Sequence, residues 1–230
     1  MAPTLRDPGA RGSPPDDCLE RALRVEGFER VAGIDEVGRG AWAGPASVGV
    51  VVFAADVPPP DGLRDSKELA EERRETLYPL VTRWCVEWSV GHAGAEECDG
   101  LGMTAALRLA ARRALGGLAA PPDVVLLDGG FDYVTEPAVE DRAPSAAPAF
   151  PEVRTVVRGD STCVSIAAAS IVAKVTRDRM MRGLSSSFPG YDFDRNKGYP
   201  SPVHRMALAG FGLTSVHRRS WSYVDGLAFR

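Results

Sequence analysis

The sequence predicts an α/β domain in which one sheet is covered by helices. Residues 31–34 and 123–128 are apolar almost throughout, as strands buried on both faces must be. The stretches between strand-like runs carry helical spacing of apolar residues. Three runs, at 31–34, 123–128 and 153–158, lead into acids beside glycines, at Asp35, Asp128 and Asp160. Sheets of this class bind ligands beyond the carboxyl ends of their strands.

Residues 1–17 are rich in Pro, Gly, Arg and Asp and read as a disordered tail. Residues 18–26 form a short helix ended by Gly27, and a hairpin follows over 31–37 and 46–54. Residues 56–64 are a loop. A polar helix over about 68–80 comes next, with Ser66 as its cap and a kink or stop near Pro79. Residues 84–92 alternate partly, as a strand does. Gly100 and Gly102 split the next helical region. Its longer part, 103–116, puts Met103, Ala106, Leu107, Ala110 and Ala114 on one core-facing side and stops at Gly116-Gly117. After the strand at 123–128, the proline- and alanine-rich residues 130–152 read as a mobile surface insertion. A strand over 153–158 leads to a helix over about 162–182, capped by Ser161 or Thr162. Ala167, Ala168 and Ala169 let that helix approach the sheet closely, and Asp178 pairs with a local arginine. Residues 188–200 are a loop and 201–210 a helix.

A chain of 230 residues suits one domain with a small C-terminal extension. No apolar run is long enough for a membrane helix and no secretory signal is present, which points to the cytoplasm. Cys18, Cys85, Cys98 and Cys163 lack metal or redox spacing and read as free thiols. His92, His204 and His217 make no metal motif. The net charge of −4 hides an asymmetry. Residues 151–230 carry 12 Lys and Arg against 6 Asp and Glu, whereas residues 1–150 carry 15 against 25. An acidic part for metal and a basic part for phosphates suit a metal-dependent nuclease.

Asp35 and Glu36 close an apolar strand, and burying two acids is costly without positive charge. A divalent ion compensates, since Mg²⁺ takes one or two carboxylates plus water and phosphate. A solvated turn is the other reading, and the stretch alone divides evenly between them. Asp128, ending a second apolar strand, tips the balance toward metal. The run from Gly38 to Ala43 also fits a dinucleotide fingerprint, but a valine-rich strand follows where that motif needs a helix. Lys67 reads as a helix start or a phosphate contact. Lys197-Gly198-Tyr199 offers a cation, a joint and a stacking face, or is a plain surface loop. Residues 217–221 add a basic cluster with an aromatic.

The ordered motifs G-I-D-E-V-G-R-G-x-x-A-G-P, D-S-K-x-L, L-D-G, R-G-D, S-I-A-A-A-S-I-V-A-K-V-T-R-D, N-K-G-Y-P and H-R-R-S-W make residues 28–222 resemble prokaryotic ribonuclease HII. The resemblance implies a ribonuclease H-like fold, with a five-stranded mixed sheet flanked by helices and a small helical C-terminal part. It implies one catalytic domain over 18–230, whose basic part from about 184 binds substrate. It further implies cleavage of RNA paired to DNA, and of duplex DNA 5′ of single ribonucleotides, leaving 3′-hydroxyl and 5′-phosphate ends.

The family's acids match Asp35, Glu36, Asp128 and Asp160, which would hold two Mg²⁺ or Mn²⁺ ions. Gly38, Arg39 and Gly40 match its reader of the 2′-hydroxyl, and Tyr199 its deoxyribose-stacking tyrosine. Lys67 and Lys197 are expected to meet phosphates. Ala41, Arg158 and Gly102 stand where relatives commonly have Pro, Lys and Asn, and the insertion before Arg154 is longer than usual. No clamp-binding peptide is evident, and the chain is expected to act as a monomer without a protein partner.

Overall fold

The computed structural model describes residues 14–135 and 151–227. Five strands form one sheet in the order β3-β2-β1-β4-β5. β1 (Val31–Val37), β2 (Ala46–Val52) and β3 (Glu87–Ala93) are an antiparallel meander. β4 (Val124–Asp128) and β5 (Glu152–Val156) continue the sheet parallel to β1. In the β1–β4 register Ile34 lies opposite Leu127. The next residues along, Asp35 and Asp128, therefore leave neighbouring strands at one level.

Helices cover both faces. α4 (Met103–Gly116) buries Ala106, Leu107, Ala110 and Ala114 against Ile34, Val48, Val50 and Leu127. α6 (Val164–Ser187) and α2 (Glu71–Trp84) cover the other face, joining Leu77, Val81, Ile171 and Val172 to Val51 and Phe53. α6 lies against the sheet at two glycines: a Cβ on Gly33 would fall 2.2 Å from the Ser165 carbonyl carbon, and one on Gly49 2.6 Å from the Ala169 oxygen. Backbone on both sides leaves nothing to give way. Gly33→Ala is expected to cost about 3 kcal/mol and lower the melting temperature by roughly 10 °C, read by thermal denaturation.

The remaining helices are α1 (Cys18–Val25), α3 (Ala95–Leu101), α8 (Pro202–Phe211), the single turns α5 (Gly159–Thr162) and α7 (Phe193–Asn196), and 3-10 turns at Ser66–Glu68 and Ser222–Gly226. Gly102, at φ +75°, separates α3 from α4. α7 lies within the stretch expected to be loop throughout. No helix among the described residues is long and apolar enough to cross a membrane.

Several expectations change. α2 continues through Pro79 to Trp84 because Leu77, Val81 and Trp84 are buried along it, which offsets the one missing amide. Ahead of it, Asp65 rather than Ser66 caps a turn of 3-10 helix, accepting from the Lys67 amide at 3.1 Å. β5 ends at Val156, before Arg158 turns to φ +59°. The helix expected over 162–182 breaks at Cys163. Neither Ser161 nor Thr162 caps α6. The buried Glu20 of α1 does so instead, accepting from the Ser165 amide at 2.8 Å and its hydroxyl at 2.7 Å. Asp178 meets Lys174 at 2.7 Å and Arg74 of α2 at 3.7 Å, so its local partner is a lysine.

Of the expected tail, residues 1–13 lie outside the described residues, but Asp16 is held in the fold through the Thr162 carbonyl and the Val164 amide. Most of the expected insertion, 136–150, is likewise outside. Tyr133 and Val134, at its start, are buried core residues rather than surface.

Candidate active site

The carboxyl ends of β1 and β4 deliver Asp35, Glu36 and Asp128 to one place. The turn after β5 adds Asp160, whose amide donates to an Asp128 carboxylate oxygen at 3.2 Å. Asp35 is 2% exposed and Asp160 8%. Burial raises the Asp35 carboxyl well above its ordinary range, and Asp128 adds repulsion. Burial, and then Asp160, also raise Asp128. Lys67 stands 3.2 Å from Asp160. Burial would lower its ammonium, but Asp35, Asp65 and Asp160 outweigh that and hold it above its ordinary value. One lysine does not neutralise this much charge.

The site's carboxylates are hard oxygen donors left electrostatically uncompensated, which fits a divalent cation. Among the described residues no three acidic, histidine or cysteine side chains are placed so as to hold a metal ion by themselves.

Beside the acids, residues 38–40 form a turn. Gly38 sits at φ +83°. The Arg39 side chain is 63% exposed and reaches within 3.7 Å of Glu36, linking turn to acids. Gly40 is exposed, and a Cβ there would meet nothing within 4 Å. The fold therefore leaves room beside Gly40. The Tyr199 hydroxyl accepts from the Gly38 amide at 3.0 Å, so the tyrosine is docked on this turn. β2 rather than a helix follows Pro45, which removes the dinucleotide reading.

Tyr199 is itself braced by a directed chain. The Thr214 amide donates to His217 Nδ1 at 3.0 Å. His217 Nε2–H then donates to His204 Nε2 at 2.9 Å, and His204 Nδ1–H to the Tyr199 carbonyl at 3.0 Å. Both rings must be neutral for this order to hold. Burial, with His204 and Arg219 beside it, pushes His217 down to about 3. In the unfolded chain an ordinary histidine protonates near pH 6.5. The stability this group gives is present above that pH and lost as pH falls toward 3. The melting-temperature gap between wild type and His217→Gln should accordingly be widest above about pH 6.5 and narrow on acidification, as scanning calorimetry across pH would show.

With this arrangement in view, comparison with known proteins decides the family. The family model of ribonuclease HII matches residues 32–224. The chain belongs to the ribonuclease HII family. It is a ribonuclease H enzyme, and the sheet-and-helix fold is the ribonuclease H-like one. It is 50% identical over 218 residues to ribonuclease HII of Streptomyces griseus, covering 93% of this chain and 86% of that one. The Streptomyces avermitilis ribonuclease HII is 48% identical over 215 residues, with the same coverage. The crystal structure of ribonuclease H2 from Pyrococcus horikoshii superposes with a TM-score of 0.65 at 26% identity, covering 85% of this chain and 95% of that one.

Within the enzyme, the residues expected at the site divide into two groups. Asp35, Glu36, Asp128, Asp160 and Lys67 come together, and Gly38, Arg39, Gly40 and Tyr199 gather beside them. Lys197, expected to meet phosphate, does not join either group. It is 5% exposed and its ammonium binds Glu71 at 3.3 Å and the Asp194 carbonyl. The basic cluster at 217–221 is divided, with His217 and Arg218 buried and Arg219 exposed.

Two residues at the site escaped sequence reading. Asp65, 7% exposed, adds a further acid next to Asp160 and Lys67. Tyr133 is fully packed, with its hydroxyl toward Glu36, Asp35 and Asp128 but without a well-formed hydrogen bond among the described residues. In the sequence Asp65 stands in the D-S-K-x-L motif ahead of a polar helix, where nothing local marks it as a site acid.

Proposed function

We propose that this ribonuclease cleaves the RNA strand of RNA–DNA hybrids and nicks duplex DNA on the 5′ side of a single embedded ribonucleotide. The products carry 3′-hydroxyl and 5′-phosphate ends. The observation that carries this reading is the 3.7 Å approach of Arg39 to Glu36. It joins a glycine turn open to a sugar directly to a buried acid cluster suited to phosphodiester chemistry. The 2′-hydroxyl is what separates RNA from DNA at a given position, and Gly40 leaves space for it.

Asp35, Glu36, Asp128 and Asp160 are assigned to hold two divalent ions, Mg²⁺ or Mn²⁺. Such ions, when bound, supply activation of the attacking water and stabilisation of the leaving oxygen. The protein's own groups do the rest. Lys67, its side chain 64% exposed beside Asp160, takes a substrate phosphate. The 38–40 turn contacts the ribose, and the Tyr199 ring stacks on the neighbouring deoxyribose. Residues 18–230 act as one catalytic domain, as a monomer, with the basic part from about 184 binding substrate.

The test uses three labelled duplexes of one sequence: all DNA, DNA with one ribonucleotide, and a continuous RNA–DNA hybrid. Metal-dependent cleavage of the last two, with the single-ribonucleotide duplex cut on the 5′ side, is expected. Cleavage of the hybrid alone would remove the junction assignment of residues 38–40.

A further inference from the structure

Arg218 is among the largest side chains that the fold buries completely. A buried guanidinium is costly unless its donors are met. Here they are met by backbone carbonyls of one short segment. Nη1 donates to the Arg39 carbonyl at 2.9 Å, and Nη2 to those of Gly38 at 2.7 Å and Gly44 at 3.1 Å. Nε donates to Gly44 at 3.3 Å.

This pattern fixes direction as well as position. A trans peptide points its C=O and N–H to opposite sides. With the Gly38 and Arg39 carbonyls turned inward to Arg218, the amides of Arg39 and Gly40 face away from it, on the exposed side of the turn. A guanidinium fork can hold several acceptors at set angles, which an ammonium cannot.

The segment bearing Arg218 is itself held. Its amide donates to the Trp42 carbonyl at 2.8 Å, and its carbonyl accepts from the Tyr223 hydroxyl at 2.8 Å. Asp99 of α3 accepts from the Arg219 amide at 2.7 Å, and from the Ser220 amide and hydroxyl at 3.0 and 2.7 Å.

We propose that Arg218 is a positioning residue for substrate selection. It orients the 38–40 turn toward the ribose, and Asp99 holds the segment that carries it, so the C-terminal part sets the preference for an isolated ribonucleotide. The proposal rests on the reading that this turn contacts the ribose. A single ribonucleotide offers the turn one register, whereas a continuous hybrid offers many. A misaligned turn therefore loses more on the former.

The test compares kcat and KM of wild type, Arg218→Lys and Asp99→Ala on the single-ribonucleotide duplex and the continuous hybrid, with the Mn²⁺ concentration for half-maximal rate measured in parallel. For Arg218→Lys the ratio of kcat/KM between the two substrates should fall at least about 10-fold, in line with the loss of charge-assisted hydrogen bonds. The metal requirement should stay as in wild type. Asp99→Ala should shift the ratio in the same direction by a smaller factor, with a melting temperature close to wild type. That variant carries the test alone if Arg218→Lys does not fold. Parallel losses on both substrates, or an unchanged ratio in folded variants, would overturn the role of Arg218 while leaving the proposed activity intact. A wild type that ignores the single ribonucleotide would overturn the underlying reading, and this role with it.

Discussion

Asp35→Asn is expected to lower cleavage by about 1000-fold or more and, in metal-free protein, to raise the melting temperature. Both effects have one cause. Asp35 is buried beside Asp128, and its carboxyl is raised well above the ordinary range by burial and by that neighbour. A raised carboxyl contributes stability below the unfolded value and loses it as pH rises through the folded one. At neutral pH the metal-free wild type therefore carries unfavourable burial of charge that Asn removes. The stability gap between variant and wild type should grow as pH rises from about 4. Added Mn²⁺ should reverse the order, stabilising wild type far more than the variant. Calorimetry with and without metal reads this directly. A variant that is less stable than metal-free wild type at neutral pH would contradict the electrostatic picture of the cluster.

Gly38→Ala should be the most damaging change outside the acids. At φ +83° any side chain is strained. The new Cβ would lie 2.2 Å from Arg177 Nε and 2.7 Å from the Pro45 carbonyl. Arg177 cannot retreat, because it is fully buried and donates to the carbonyls of Pro45, Lys197 and Ala43. Strain and crowding together should cost about 3 kcal/mol. Displacement of the turn should reduce cutting at a single ribonucleotide about 100-fold.

Gly40→Ala separates the two contributions. None of the described residues lies within 4 Å of that Cβ, so stability should be unchanged while KM for the single-ribonucleotide duplex rises. Equal behaviour of the two variants would mean that the turn's glycines serve the fold alone.

The contrast between what the sequence reveals and what it conceals follows from range. β1 and β4 were legible because their apolar runs are continuous and end in acids, a local pattern. The pairing of Asp35 with Asp128 needed only the parallel register. Arg218 was not legible in its role. A basic residue between His217 and Arg219 reads as surface, and nothing local shows that carbonyls from residues 38–44 await it.

Lys197 misled for the same reason, since Glu71 lies far away in sequence. Tyr133 was concealed by the proline- and alanine-rich stretch that follows it, although Tyr133 and Val134 are themselves buried core. Pro79 misled in the other direction: its local preference to break a helix was outweighed by the buried face of α2.

The central claim is that the cluster at the ends of β1 and β4 is the metal-dependent cutting centre. The most direct measurement is cleavage of a labelled DNA duplex bearing one ribonucleotide by wild type and Asp128→Asn, each with Mg²⁺, Mn²⁺ or chelator. The account predicts a cut on the 5′ side of the ribonucleotide by wild type with metal only, and none by the variant. Full activity of Asp128→Asn, or cleavage by wild type in chelator, would contradict it.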